Sequence, residues 1–500
     1  MIDEGICYFL SRPRRFGKSL TINTLKELFR GNRELFRGLW IEDRWEFKEH
    51  PVLIFDFNGI SSRDPNILDM GLRRKMDQIL NEYGVEFDVF EGGDIDSLFS
   101  VMISKIHEKY REQVVILIDE YDKPILDHLG QGDEELRVAV ENRKVLKSFF
   151  GVLKEGNIVD IIRFVFVTGV SRFTKVSIFS EWNNLKDISM DKRYADFLGY
   201  SEDEIMKYFP DYLERLCKEK GLSIDECLER VRYWYNGYRF SVESDSQVYN
   251  PISFMYAVDQ GEFKNYWFRT GTPTFLVNLL KERAYHIPEL EDIKVRSELF
   301  ESYDLENLPV EAILYQSGYL TIKDATEGGE ILFLSYPNQE VKISFSGVLF
   351  QSTYRATGDS FYLAKRLGDA LREERFEDIE EFINGIFSSI PYSVYPTGDE
   401  PQRVKEYYYH TIMYLSLSLL GYDARTEVLS SKGRLDMAVI FKDKVYVLEF
   451  KIGKGAEEAI SQIKQKGYAD RFRAEGKRVI LCDIGFDEKD KKVEELRFEP

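Results

Sequence analysis

Strand-length apolar runs alternate with stretches of helical period through the first third of the chain. CYFLS (Cys7–Ser11), PVLIFDFNG (Pro51–Gly59), VVILIDEYD (Val114–Asp122) and IIRFVFVTG (Ile161–Gly169) are apolar runs of strand length, the third continuous up to its acids. Between them, Ile67–Tyr83, Ile95–Lys109 and Glu134–Leu153 carry apolar residues at helical spacing. The alternation predicts an α/β unit, a parallel sheet with helices on both faces.

From Tyr200 to about Phe350 the pattern changes to helices joined by aromatic-rich loops, including YWYNGYRF (Tyr233–Phe240) and YWFRTGTPTFLVNLL (Tyr266–Leu280). Rings interleaved with arginine can stack bases, but the burial habit of large rings favours small cores between helices. LYQSGYLTIK (Leu314–Lys323) and ILFLSYPNQEVKISF (Ile331–Phe345) read as a helix end, a strand, a turn at Glu327-Gly328-Gly329 and a second strand. The region is therefore predicted to be mostly helical, lid-like or winged-helix-like. After the Pro- and Gly-rich loop Tyr392–Gln402 come a helix (Val404–Leu420), strands at Met437–Phe441 and Val445–Ile452, and a helix over Ala456–Tyr468. The expected domains are residues 1–195, 196–355 and 356–500.

The first candidate chemistry lies just after the first apolar run. In SRPRRFGKSL, Gly17-Lys18-Ser19 places a permissive backbone, an ammonium group and a hydroxyl where two phosphates and a magnesium ion need them. A helix starting at Ser19 or Leu20 would aim its unpaired amides and positive dipole end at the phosphate. The spacing matches the end of a Walker A motif, with Arg12 in place of its first glycine. VVILIDEYD then delivers Asp119 and Glu120 at the end of a strand, the arrangement of Walker B. Asp119 would hold Mg2+ through water and Glu120 would polarise the attacking water. The competing reading is a helix start at Asp122-Lys123-Pro124. At the end of the fourth run, Thr168 and Arg172 occupy positions where a polar group senses the γ-phosphate and an arginine neutralises developing charge. A hydroxyl capping a turn and a surface arginine are the simpler alternatives.

Composition narrows the field. Five hundred residues exceed what one core serves, and 43% hydrophobic content with 14% aromatics marks a globular chain. The net charge of −19 disfavours general nucleic-acid binding, so such activity would rest on local basic groups and metal ions. Cys7, Cys217, Cys227 and Cys482 lack metal-site spacing and suit reduced thiols. With no membrane-length apolar run and no signal pattern, the expected location is cytoplasmic.

A second constellation lies in GRLDMAVIFKDKVYVLEFKIG. Glu449 and Lys451 share one face of a strand. A two-residue loop at Asp443-Lys444 would set Asp436 opposite Lys451, and a loop two residues longer would set it opposite Glu449. Either grouping suits metal-assisted phosphodiester hydrolysis, with Asp436 and Glu449 on Mg2+ or Mn2+ and Lys451 on the attacking water. An exposed cross-strand ion pair is the simpler alternative, but apolar neighbours on both sides of Glu449 argue for burial. Glu406 and Glu427 are candidate outer metal ligands, and Gln462 and Lys466 share a helix face that could touch phosphate.

The chain resembles a family of prokaryotic proteins joining an AAA-ATPase-like domain to a C-terminal PD-(D/E)XK nuclease-superfamily domain. The resemblance rests on SRPRRFGKSL, LIDEYDKPI, FVFVTGVSRFTKVSIFSEWNNLKDIS, YNGYRF, YNP, LYQSGYLTIK, YPNQEV, and GRLDMAVIF with VYVLEFKIG. It implies that Arg12 is family usage and that Lys18, Ser19, Asp119 and Glu120 form the ATP site, and Arg15, Phe16, Gly17 and Leu20 of the same loop are further candidate nucleotide contacts. It also implies a nuclease triad of Asp436, Glu449 and Lys451. Family members usually have a segment before the first strand, which here starts at Cys7. The expected protein is an ATPase whose nucleotide state regulates a metal-dependent nuclease acting on DNA or RNA, able to form a homo-oligomer. The rival expectations are a STAND-like ATP-driven signalling or assembly switch with an inactive nuclease fold, and a nucleic-acid-binding scaffold with little turnover.

Overall fold

A computed structural model describes residues 1–2, 4–172, 179, 182, 184–270, 274–283, 285–300, 305, 308–395, 402–430, 433–452, 470–487 and 491–499. They fall into two compact units, residues 1–262 with 273–279 and 294–333, and residues 263–272 with 280–293 and 334–500.

The first unit is built on strands β1 (Cys7–Ser11), β2 (Val52–Asp56), β3 (Val114–Asp119), β4 (Ile162–Gly169) and β5 (Leu185–Asp187). They form one parallel sheet in the order β2-β3-β4-β1-β5. All of β1 and β3 is buried, which explains their unbroken apolar sequences. Helix α1 (Lys18–Phe29) packs on one face, where Ile22, Leu25 and Phe29 join Tyr8, Leu10, Val115, Leu117 and Phe164 in a core. On the other side, Phe55 meets Phe99 of α3 (Ile95–Tyr110), and Phe99 stacks on Phe149 at 4.2 Å. Helix α2 (Pro65–Glu82) starts at an Asp64 cap that accepts from the amides of Asn66 and Ile67. Strand β5 was not anticipated, because three residues at a sheet edge carry too little pattern.

Strands β6 (Ile293–Arg296), β7 (Thr321–Ala325) and β8 (Ile331–Ser335) form a small sheet in the order β6-β8-β7. The expected hairpin is therefore present, but the sequence after Ser335 is not strand. A helix spans Gln339–Tyr354, because the Asn338 side chain caps it by accepting from the Val341 amide. The aromatic clusters are core: Tyr235, Tyr238, Tyr249 and Tyr266 are fully buried. All four cysteines are free and buried. No helix among the described residues is long and apolar enough to cross a membrane.

In the second unit the helix Gln402–Ser418 precedes a five-stranded sheet, β9 (Asp423–Ser430), β10 (Gly433–Ile440), β11 (Lys444–Ile452), β12 (Arg478–Phe486) and β13 (Val493–Glu499). Its order is β13-β12-β11-β10-β9, with β11 and β12 parallel and the other pairs antiparallel. The expected helix over Ala456–Tyr468, with Gln462 and Lys466, lies outside the described residues.

Candidate functional site

The sheet order sets β4 between β1 and β3, so the ends of three strands converge on the start of α1. Ser11 pairs with Gly169 and Leu10 with Thr168, which brings the two strand ends level. The loop out of β1 turns through Arg15 and Gly17, both left-handed, with φ of 69° and 94°. A Cβ at Gly17 would meet nothing within 4 Å, so conformation rather than space calls for glycine there. The first helical hydrogen bond of α1 runs from the Thr21 amide to the Gly17 carbonyl. The amides of Lys18, Ser19 and Leu20 thus lie outside the helical ladder, as an anion site requires.

Lys18 is buried and donates from Nζ to the carbonyls of Arg12 (3.1 Å) and Pro13 (3.3 Å). Glu120 lies 3.5 Å from the same ammonium, on a left-handed backbone with φ 52°. Ser19 stands close enough to the Asp119 carboxyl to favour its charged form. Burial holds the Asp119 carboxyl above its ordinary value, against the help of Ser19, and the charge of Glu120 adds to the rise. Phe16 is buried edge-on to Tyr238 (4.9 Å) and Phe240 (5.4 Å), so it offers a ligand only its backbone. Leu20 is 71% exposed and lines a cleft of about 820 Å³ together with Gly17, Thr21, Thr24, Tyr194 and Tyr200.

Arg12 replaces the expected glycine without strain, since its φ is not positive. Its buried guanidinium donates to four main-chain carbonyls, those of Ser11 (3.0 Å), Ser189 (2.7 Å), Tyr194 (2.7 Å) and Phe197 (3.2 Å). It therefore fixes the loop to the segment beyond β5.

Beyond Glu120, Asp122 does not cap the short helix Lys123–Leu126 with its side chain. Its Oδ2 instead accepts from the amides of Val170 (3.0 Å) and Ser171 (2.6 Å) and from the Ser171 hydroxyl (2.6 Å). The Thr168 hydroxyl is buried and has no hydrogen-bond partner among the described residues. Arg172 reaches Asp187 from Nε (3.0 Å) and Nη2 (2.6 Å) and donates to the Phe300 carbonyl (3.3 Å). In this structure its guanidinium braces β5.

The nuclease-like constellation assembles around β10 and β11. The two-residue turn falls at Lys442-Asp443, with Phe441 bonded to Lys444 and Met437 paired with Leu448. It lies one residue earlier than a turn at Asp443-Lys444, and so carries Asp436 to the level of Glu449 rather than Lys451. Asp436 Oδ2 accepts from the Phe450 amide (2.8 Å), and Lys451 Nζ lies 3.5 Å from Glu449. Glu449 is 2% exposed, which sets aside the exposed ion pair.

Two further groups flank the triad. His410 Nε2 stands 3.7 Å from Asp436, and Glu406 sits half-buried one turn earlier on the same helix. Asp483 pairs with Glu449 across β11 and β12 and is fully buried. Burial pushes its carboxyl up to about 6, with the Lys451 charge opposing. Sequence reading missed both. Asp483 carried a usable signal, a lone acid inside the apolar run VILCDIGF, as Glu449 is in VYVLEFKI. Glu427 belongs to β9 near the level of Asp436, but its side chain lies outside the described residues.

Residues 1–179 match the family described as predicted AAA-ATPase, and residues 404–496 match the PD-(D/E)XK nuclease superfamily. With these two domains in this order, the chain belongs to the family of AAA-ATPase-like proteins that carry a C-terminal PD-(D/E)XK domain. It is 38% identical over 498 residues, 99% of this chain and 92% of the relative, to the "Uncharacterized protein in vnfD 5'region" of Azotobacter chroococcum mcd 1.

Proposed function

We propose that the chain binds and hydrolyses ATP at the head of α1, and that its nucleotide state regulates a metal-dependent nuclease site at Asp436, Glu449 and Lys451 that cleaves DNA or RNA. The observation that carries the reading is the grouping at the strand ends, where Lys18 Nζ lies 3.5 Å from Glu120 and both Ser19 and Lys18 favour the charged form of Asp119. Hydroxyl and carboxylate oxygens of this kind suit Mg2+, which would draw charge from the β- and γ-phosphates. Lys18 would exchange the carbonyls of Arg12 and Pro13 for phosphate oxygens. That exchange releases Glu120 to orient the attacking water, and the unpartnered Thr168 hydroxyl gains a γ-phosphate oxygen as acceptor. The cleft beside Leu20 and Tyr194 has the volume for the adenosine end.

At the second site, Asp436 and Glu449 are the residues that would hold Mg2+ or Mn2+, and Lys451 would place the attacking water and offset charge at the phosphorus. Their fit is one of donor chemistry. Among the described residues no three His, Cys, Asp or Glu side chains are yet gathered as a closed metal cage. The proposed regulation rests on both sites occurring in one chain.

The experiment is cleavage of single- and double-stranded DNA and RNA with Mg2+ or Mn2+, with and without ATP, by the parent, Asp436→Ala and Lys18→Ala proteins. Metal-dependent cutting lost in Asp436→Ala and altered in Lys18→Ala is the expected result. A folded protein that hydrolyses ATP and cuts nothing would overturn the nuclease reading.

A further inference from the structure

Strand β12 carries an acid that the triad does not use. Asp483 is 0% exposed, and neither carboxylate oxygen has a hydrogen-bond partner of normal geometry among the described residues. A buried carboxylate without partners is costly and is retained where a cation or a ligand satisfies it. The nearby charges of Lys451 and Arg497 and the amide of Ile484 act on it but do not offset its burial.

Its place in the sheet says what that cation could be. The parallel β11–β12 pairing sets Asp483 beside Glu449, and the next level sets Gly485, which has no side chain, beside Lys451. Paired strands run about 4.8 Å apart. Two acids on paired residues can therefore share one ion that takes its oxygen ligands at about 2.0–2.6 Å. Asp436 stands on the opposite flank of Glu449, since β11 lies between β10 and β12. Asp436, Glu449 and Asp483 are thus set against two cations, Lys451, which approaches Glu449 at 3.5 Å, and Arg497, which pairs with Asp483 from β13. That imbalance suits a divalent cation.

We propose that Asp483 is a further carboxylate of the divalent-cation site, on the flank of Glu449 opposite Asp436, so that an ion drawn to Glu449 also takes an oxygen of Asp483. This rests on the nuclease reading of the same site and deepens it. Asp483 acts by binding or neutralising the ion.

The test is calorimetric titration of the full chain with Mn2+ alone, without nucleotide, in an Asp119→Asn background that weakens metal binding at the head of α1. Asp483→Asn is expected to weaken Mn2+ binding about tenfold or more, while the thermal midpoint of the metal-free protein stays level or rises as an uncompensated buried charge is removed. Mn2+ should raise the midpoint of the parent far more than that of the variant. Glu449→Gln separates the two claims. If it abolishes binding while Asp483→Asn binds as the parent does, this inference alone is overturned. If the parent binds no Mn2+, the reading of the whole site falls with it. Should Asp483→Asn not fold, Asp483→Ser and Asp483→Glu are read in the same way. Failure of all three to fold would assign Asp483 to the core and overturn the inference.

Discussion

The Arg12 guanidinium donates to the main-chain carbonyl of Tyr194 at 2.7 Å, tying the loop before Lys18 to a wall of the cleft beside Leu20. The same group lies 4.1 Å from the centre of the Phe240 ring, and burial draws its pKa down to about 10. One side chain thus sets the loop against the cleft proposed for the adenosine end.

Arg12→Lys keeps a cation but cannot reach four carbonyls from a planar fork. Buried carbonyls left without donors should cost on the order of 2–3 kcal/mol. ATP affinity should fall as well, because the loop loses its anchor. Denaturant unfolding and nucleotide titration measure the two effects, and a variant that binds ATP like the parent would remove Arg12 from the site's support.

Glu120→Gln keeps the size of the side chain and removes its basicity. Hydrolysis should fall by about 10²–10⁴-fold with ATP affinity largely retained. Single-turnover hydrolysis and equilibrium binding separate the two. Equal loss of binding and turnover would mean that Glu120 chiefly holds Lys18, its neighbour at 3.5 Å.

Much of this was legible because burial on both faces writes itself into β1 and β3 as unbroken apolar runs, and into β4 as a run broken only at Arg163 before its terminal Thr168-Gly169. A run ending in Asp119-Glu120 fixes both the strand and the edge at which its two acids emerge. Pattern failed where two periods coincide. Val341, Ile343 and Phe345 alternate as a strand would, yet Val341, Ser344 and Phe345 are buried along a helix, and the Asn338 cap decides between them. The level of Asp436 depended on a one-residue shift in a turn, which hydrophobic pattern does not encode. His410 could not be read at all, since its value comes from a contact across 26 positions of sequence.

Asp122 should make stability depend on pH. Burial and the charge of Glu120 push its carboxyl up to about 6 from an ordinary value of 3.8, against the Ser171 donors. The folded protein then holds this proton more tightly than the unfolded chain. Its ionisation opposes folding above about pH 6, and the penalty disappears as pH falls toward 4. Asp122→Asn removes the effect, so the parent should gain stability relative to the variant between pH 7.5 and pH 5. Denaturant midpoints of both proteins at the two pH values give the comparison, and a constant difference would show that Asp122 does not titrate in this window.

If Asp436 holds the cation proposed above, His410 is placed to act through it. Its Nε2 stands 3.7 Å from the carboxylate that also accepts the Phe450 amide, and its ring lies 4.8 Å from the Phe450 ring. A histidine so placed orients the acid and adds an imidazole donor beside any bound cation. His410→Gln retains polarity without an imidazole and should lower metal-dependent cleavage by about 10–100-fold. The metal concentration giving half-maximal rate should rise in parallel, which a packing role alone would not produce. Leaving ATP hydrolysis unchanged, the variant would place the effect at the nuclease-like site. A loss of rate at unchanged metal dependence would instead assign His410 to substrate contact.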